Sequence, residues 1–353
     1  MSERETLTPV ADVGGPQQPL LEVRALSKHF KLGGLFGRGG VVRAVDDVSF
    51  TVDKGEVLGI VGESGCGKST TARLVIGLIE PDIGEIILDG EPVGTALSLR
   101  ELRRRVQMVF QDSYASLNPR LTIQDTIAFG PKFHGRSADE AHAQAHDLLR
   151  KVGLDPAVFA DRYPHELSGG QRQRVNIARA LALAPRLVLL DEAVSALDKS
   201  VEAQVLNLLL DLKDDLGLTY VFISHDLNVV RFISDRVIVM YLGEVVEQAP
   251  VDVLWEDARH PYTRALLAAM PSLDPDHRTK KAPIAGDPPN PIDPPSGCRF
   301  HTRCPFAEPV CSAKKPLLAA TGNDRHTAAC HMVDPASGHS RAGLSFVTEE
   351  THA

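Results

Sequence analysis

The stretch GESGCGKST at residues 62–70 fits the spacing G-x-x-x-x-G-K-[ST] and is the clearest chemical motif in the 353-residue chain. Glycines at 62, 65 and 67 let backbone N–H groups curl around a run of phosphates, with Ser64, Cys66 and Thr70 completing the loop. Lys68 would bring a positive charge to the outer phosphates, and Ser69 would offer its hydroxyl to Mg²⁺. Cys66 is a spectator in this reading, because backbone and lysine do the binding. The loop follows the apolar run VLGIVG (57–62) and precedes the helical TTARLVIGL (70–78), the context that a nucleotide cradle requires.

Two further groups belong to the same chemistry. RLVLLDE at 186–192 puts Asp191 at the carboxyl end of a buried strand, where open α/β sheets bind ligands, with Glu192 directly after it. Asp191 can join the Mg²⁺ shell, and Glu192 can polarise a water for attack on the γ-phosphate. LSGGQRQR at 167–174 opens a helix on Ser168, Gly169, Gly170 and Gln171, a second N-terminus suited to an anion.

With two phosphate-binding loops and a strand-end carboxylate pair, the sequence resembles the ATP-binding cassette (ABC) ATPases of transporters. The resemblance implies that the 168–171 loop reaches across a head-to-tail dimer to the partner's ATP. It also implies that Gln111, in VFQDSYASLNP, touches Mg²⁺ and signals to the membrane subunit, and that His225, in ISHDL, contacts the γ-phosphate. Asp198, in SALD, falls in the loop that couples the two sites. Phe30, in LSKHF, stands where the family stacks an aromatic on adenine, with Phe36 as its competitor and a core position as the ordinary alternative. DEAVSALD departs from the family's frequent DEPTSALD outside the catalytic pair.

RHPYTRALLAAMP at 259–271 resembles the C-terminal extension of oligopeptide and dipeptide importer ATPases, as does VFQDSYASLNPR. The resemblance implies a second ATPase subunit, identical or homologous, two membrane permeases and an extracytoplasmic peptide-binding protein. Nickel, glutathione and other small solutes are cargoes of the same branch. The expected location is the cytoplasmic face of the membrane, with no nucleic-acid partner.

Near the C-terminus GCRFHTRCPFAEPVC holds Cys298, Cys304 and Cys311, and Cys330 follows, with gaps of 5, 6 and 18 residues. Four thiols suit a [4Fe–4S] cluster. Zinc is the alternative, with His301 or His331 replacing a thiol, although paired C-x-x-C knuckles are absent. Unliganded buried thiols are the third reading. Relatives in the peptide-importer branch hold an iron–sulfur cluster here, and the resemblance implies one in this chain.

The elements that must position these residues are legible as patterns. VLGIVG, LVLLDE and TYVFISHD read as buried strands of a parallel sheet, each leading into a helix. VVRAVDDVSFTV (41–52) and EIILDG (85–90) suggest a small antiparallel sheet, ADEAHAQAHDLLRKVGL (138–154) a helical insertion, and DRVIVMYLGEVVEQ two strands joined at Gly243. The expected fold is α/β, a P-loop cassette with a mixed sheet core, an antiparallel β subdomain, a helical subdomain and a small C-terminal extension. The expected divisions are a tail at 1–20, the nucleotide-binding domain at 21–255 with its helical part near 112–170, the extension at 256–335 and a second tail at 336–353. Proline density through 280–297 marks a boundary within the extension.

Composition narrows the classes. Hydrophobic residues make up 43% of the chain, enough for an ordinary core, and the longest apolar runs, such as LVIGLI, are far too short to span a bilayer. The N-terminus lacks the features of a secretory signal, so a cytosolic setting is expected, where an odd number of cysteines points away from disulfides. A net charge of −8 argues against a nucleic-acid coat, and the basic run RELRRR reads as a solvated helix face. A soluble cassette acting on DNA or ribosomes would usually carry two cassettes or a long coiled coil. A non-hydrolysing regulator would not need Glu192 and His225.

Overall fold

A computed structural model describes residues 15, 18–33, 40–270, 286–323 and 325–343. The expected Phe36 alternative therefore lies outside the described residues, as do most of the first tail and residues 344–353.

The main sheet has the order β11-β12-β10-β9-β3-β8-β7-β6. Its parallel part is β6 (Val106–Val109), β7 (Leu187–Asp191), β8 (Thr219–Ile223), β3 (Val57–Val61) and β9 (Arg236–Tyr241). β3, β7, β8 and β9 are buried along their whole length, so they read as continuous apolar runs rather than alternating ones. β10 (Glu244–Pro250) turns back antiparallel to β9 through Gly243. A smaller antiparallel sheet runs β2-β1-β4-β5, from β1 (Leu21–Lys31), β2 (Val41–Val52), β4 (Ile83–Leu88) and β5 (Glu91–Pro92).

Alternation along β3 decides which layer covers which face. Val57 and Val61 point into a core shared with the helical layer, while Leu58 and Ile60 point into a second core shared with Leu21, Leu26 and Val45 of the small sheet. The helical layer consists of α3 (Ile123–Phe133), α4 (Ala138–Lys151), α5 (Pro156–Phe159) and α6 (Gly169–Leu181). α4 starts at Ser137, whose hydroxyl and the Glu140 carboxylate cap each other's backbone N–H groups. The remaining helices are α1 (Lys68–Val75), α2 (Leu99–Arg105), α7 (Lys199–Leu216), α8 (Leu227–Ile233), α9 (Val251–Glu256), α10 (Pro261–Ala268) and α11 (Pro309–Ala313).

Two features depart from the sequence reading. Beyond the proline-rich segment the chain returns to the main sheet: β12 (Thr327–Ala328) pairs with Glu247 and Gln248 of β10, and β11 (Ala319–Ala320) pairs with β12. An edge strand with unpaired N–H and C=O groups recruits whatever chain can pair with it. Residues 336–343 also differ from the tail expected there. His339 is buried with its Nε2 donating to the Phe306 carbonyl at 2.9 Å, and Ser340 bonds to Glu308.

Candidate nucleotide site

The loop 62–67 leaves the end of β3 and enters α1, with Ser64 and Gly65 exposed and Gly62, Cys66 and Gly67 buried. At Gly67, φ is +107° and an added Cβ would strike the Ala44 carbonyl, so glycine is required by both conformation and space. Lys68 is buried and folds back over the loop, its Nζ donating to the Gly62 carbonyl at 2.7 Å and the Glu63 carbonyl at 3.0 Å. These acceptors keep a buried ammonium solvated by the loop itself, within reach of whatever anion the loop holds. Burial pushes the Cys66 thiol up in pKa, which keeps it protonated and inert, as a spectator should be.

The strand ends of β7 and β8 supply the facing wall. Ser69 Oγ donates to Asp191 Oδ1 at 2.9 Å, which places two of the three expected Mg²⁺ ligands together. Burial raises the Asp191 pKa against the hydrogen bond from Ser69. A nearly enclosed carboxyl beside a hydroxyl is a pair of hard oxygen donors, which fits Mg²⁺. Gln111 Nε2 donates to Glu192 Oε2 at 2.7 Å, which sets Gln111 beside the same wall. His225 Nδ1 lies 3.4 Å from Glu192 Oε1, with most of its ring exposed.

Glu192 is thus the hub of a Gln111–Glu192–His225 array. Its φ of +47° is unusual for a residue with a side chain, and its N–H is tied to the Ile223 carbonyl at 2.9 Å, across the β7–β8 boundary. A left-handed conformation of this kind costs about 1 kcal/mol and is typical of sites where side-chain aim matters.

The second predicted loop is formed but stands apart in its bonding. Ser168 and Gln171 cap each other at the start of α6, Gln171 N–H donating to Ser168 Oγ at 3.3 Å and Ser168 N–H to Gln171 Oε1 at 3.0 Å. Gly169 and Gly170 open the helix, and Gly170 packs where a Cβ would meet Val201 of α7. Asp198 caps α7 by position without a side-chain bond, while its neighbour Lys199 bridges Glu202 and Asp226 at 2.9 Å each. Phe30 lies near the end of β1 opposite Val42, 38% exposed with the Lys28 ammonium 5.9 Å from its ring centre, so the core alternative for it does not hold.

Several residues at the loop had no sequence signal. Glu63 N–H donates to the Tyr262 hydroxyl at 2.8 Å, and both Glu63 carboxylate oxygens accept from Arg303, at 2.9 and 3.1 Å. Arg303 lies 240 positions away, inside the cysteine-rich segment, and no spacing rule connects positions so far apart. The HPYT motif was the one available pointer to Tyr262.

Cys298, Cys304, Cys311 and Cys330 lie within electrostatic range of one another: each of the other three thiols raises the pKa of Cys330. Burial is the larger cause and pushes Cys298 and Cys330 up to about 12. The placement of the side chains bears equally on the zinc and the iron–sulfur readings. Among the described residues no three His, Cys, Asp or Glu side chains converge on one metal ion. His301 Nδ1 donates to the Cys298 carbonyl and His331 Nε2 to the Lys314 carbonyl.

A glycine-lined phosphate loop between a strand and a helix, with a carboxylate pair at the end of another parallel strand of the same sheet, defines a P-loop nucleotide-binding protein. Residues 45–195 match the ABC transporter family, and residues 246–311 match the oligopeptide/dipeptide transporter C-terminal region. A probable peptide ABC transporter ATP-binding protein of Sinorhizobium fredii is 52% identical over 323 residues, 90% of this chain and 91% of its own. The oligopeptide transport ATP-binding protein AppF of Bacillus subtilis is 48% identical over 324 residues, 90% of this chain and 98% of its own. Among solved structures, an ATP-binding cassette seen as a dimer in a post-hydrolysis state with ADP and Pi has a TM-score of 0.57 at 32% identity, covering 65% of this chain and 98% of that one. The chain belongs to the ATP-binding subunits of ABC transporters, in the branch that carries the oligopeptide/dipeptide C-terminal region.

Proposed function

We propose that the chain hydrolyses ATP to power peptide import, working with two permeases, a second ATPase subunit and an extracytoplasmic binding protein at the cytoplasmic face of the membrane. The observation that carries the catalytic half is the convergence of Ser69 with Asp191, and of Gln111 and His225 with Glu192, at the ends of β3, β7 and β8. The peptide half rests on the relatives' names and on the matched C-terminal region. No helix of the described residues is long and apolar enough to cross a membrane. Nickel, glutathione or another small solute is the other cargo reading, because cargo is chosen by subunits outside this chain.

Lys68 and the loop N–H groups bind the phosphates. Ser69 and Asp191 would hold Mg²⁺, which screens the charge that develops on the phosphoryl oxygens. Glu192 takes the proton of the attacking water, and His225 orients toward the γ-phosphate. Gln111 links Glu192 to the segment leading into the helical layer, a route by which occupancy reaches the permeases. Ser168–Gln171 serves the partner's ATP. Replacing Glu192 by Gln keeps the shape but removes the base, so hydrolysis by the assembled transporter should fall about 10²- to 10⁴-fold while ATP binding persists. Wild-type turnover in that variant would sink the assignment.

The four thiols of the extension hold an iron–sulfur cluster in this proposal. Four thiols are the number that such a cluster needs, and this count in the sequence is what supports the reading. When bound, it supplies metal–sulfur bonds that cross-link the extension.

A further inference from the structure

The segment between Cys298 and Cys304 lies against the nucleotide loop and is joined to it by charge. Arg303, almost wholly buried, grips Glu63 with both terminal nitrogens at 2.9 and 3.1 Å, in a paired geometry that only a guanidinium provides. Glu63 occupies the second position of the phosphate loop, a carboxylate beside a cradle for a polyanion. The Arg303 guanidinium also donates to the Tyr241 hydroxyl at 3.3 Å. Its backbone is set by Phe300, whose ring packs edge-on against Tyr241 and obliquely against Tyr262, with centroids 5.3 and 5.4 Å apart. Tyr262 in turn accepts the Glu63 N–H. Arg299 completes the anchoring through ion pairs to Asp46 and to Glu244 at 3.2 Å.

We propose that Arg303 is a positioning residue for nucleotide binding: it neutralises Glu63 and fixes the start of the phosphate loop, so that the cysteine-rich extension sets this subunit's affinity for ATP. This rests on the reading of the 62–70 loop as the ATP site. The two-point grip aims the Glu63 carboxylate at the extension and away from the phosphates. With the guanidinium removed, Glu63 is a bare anion at the mouth of an anion site, and the loop loses one of its three side-chain tethers at Glu63, those from Tyr262 and Lys68 remaining.

The test is equilibrium binding of Mg·ATP to the full-length chain, at low and high salt, for wild type and for Arg303→Met, Arg303→Lys, Glu63→Gln and the Glu63→Gln/Arg303→Met double variant. Arg303→Met should raise Kd about tenfold, and less in high salt, where screening weakens the repulsion. In the assembled transporter its KM should rise with little change in kcat. Arg303→Lys should recover part of the affinity. Glu63→Gln alone should bind at least as well as wild type, and adding it to Arg303→Met should restore affinity to within about twofold of wild type. That rescue separates charge neutralisation from mere loss of packing. An Arg303→Met variant that binds as wild type, or a double variant as weak as Arg303→Met alone, would overturn the proposal. If Arg303→Met does not fold, Glu63→Gln decides by itself, since a tenfold loss of affinity there would contradict the neutralisation. A wild-type chain that fails to bind Mg·ATP at all refutes the nucleotide reading instead, and the two failures are thereby distinct.

Discussion

Glu247 of β10 is the strongest test of how the extension is held to the cassette. Its side chain is fully buried, and three hydrogens converge on it. Oε1 accepts from the Arg259 N–H at 2.6 Å and from His326 Nε2 at 2.8 Å, and Oε2 accepts from the His260 N–H at 2.9 Å. One carboxyl group thus ties the β10 edge to the turn before α10 and to the loop before β12. In Glu247→Ala all three donors stay buried without an acceptor. Each orphaned donor costs about 1–3 kcal/mol, and partial relaxation toward water favours the lower end, so a loss of about 3–5 kcal/mol is expected. Urea unfolding of the full chain measures it, with hydrogen exchange at Ala328 and Ala329 to place the damage. Their amides pair with β10 or lie beside that pairing, and they should lose protection ahead of β3 and β7. A loss below about 1 kcal/mol with protection intact would refute the reasoning, because it would mean that the three bonds are replaceable by solvent in a site without exposure.

Two further outcomes follow. Asp125 in α3 accepts from His142 Nε2 at 2.9 Å and Lys132 Nζ at 3.0 Å, and these bonds lower its pKa from 3.8 to about 2. Because the folded value lies below the unfolded one, its stabilisation is complete above pH 3.8 and is lost as the pH falls through about 2; the stability gap between wild type and Asp125→Asn should close over that window, and a gap constant with pH would contradict it. Anaerobically purified protein should contain about four iron and four sulfide per chain and lose them in Cys330→Ser, whereas stoichiometric zinc would remove the cluster from the proposal.

How much of this was readable beforehand depends on the range over which each feature is fixed. The glycine loop, the strand-end Asp191–Glu192 pair and the Ser168 cap are local: backbone conformation and spacing of a few residues dictate them, so they stand in the sequence as patterns. Buried strands such as β3 and β7 were legible for the same reason, since burial on both faces writes an unbroken apolar run. Val106–Val109 was not picked out as β6 because four residues after a basic helix carry too short a signal. The bond from Gln111 to Glu192 was not legible either, because two segments 81 positions apart meet to make it.

The sequence by itself determined the chemistry, a phosphate cradle with carboxylates at a strand end, because those groups are encoded by residue type at short spacing. Only the tertiary structure decided what surrounds the cradle. Arg303 meets Glu63, and His326 meets Glu247, across separations of 240 and 79 residues, and β12 closes on β10. Such pairings satisfy buried charges and open strand edges, and those demands act through space, leaving no periodicity in the chain to read.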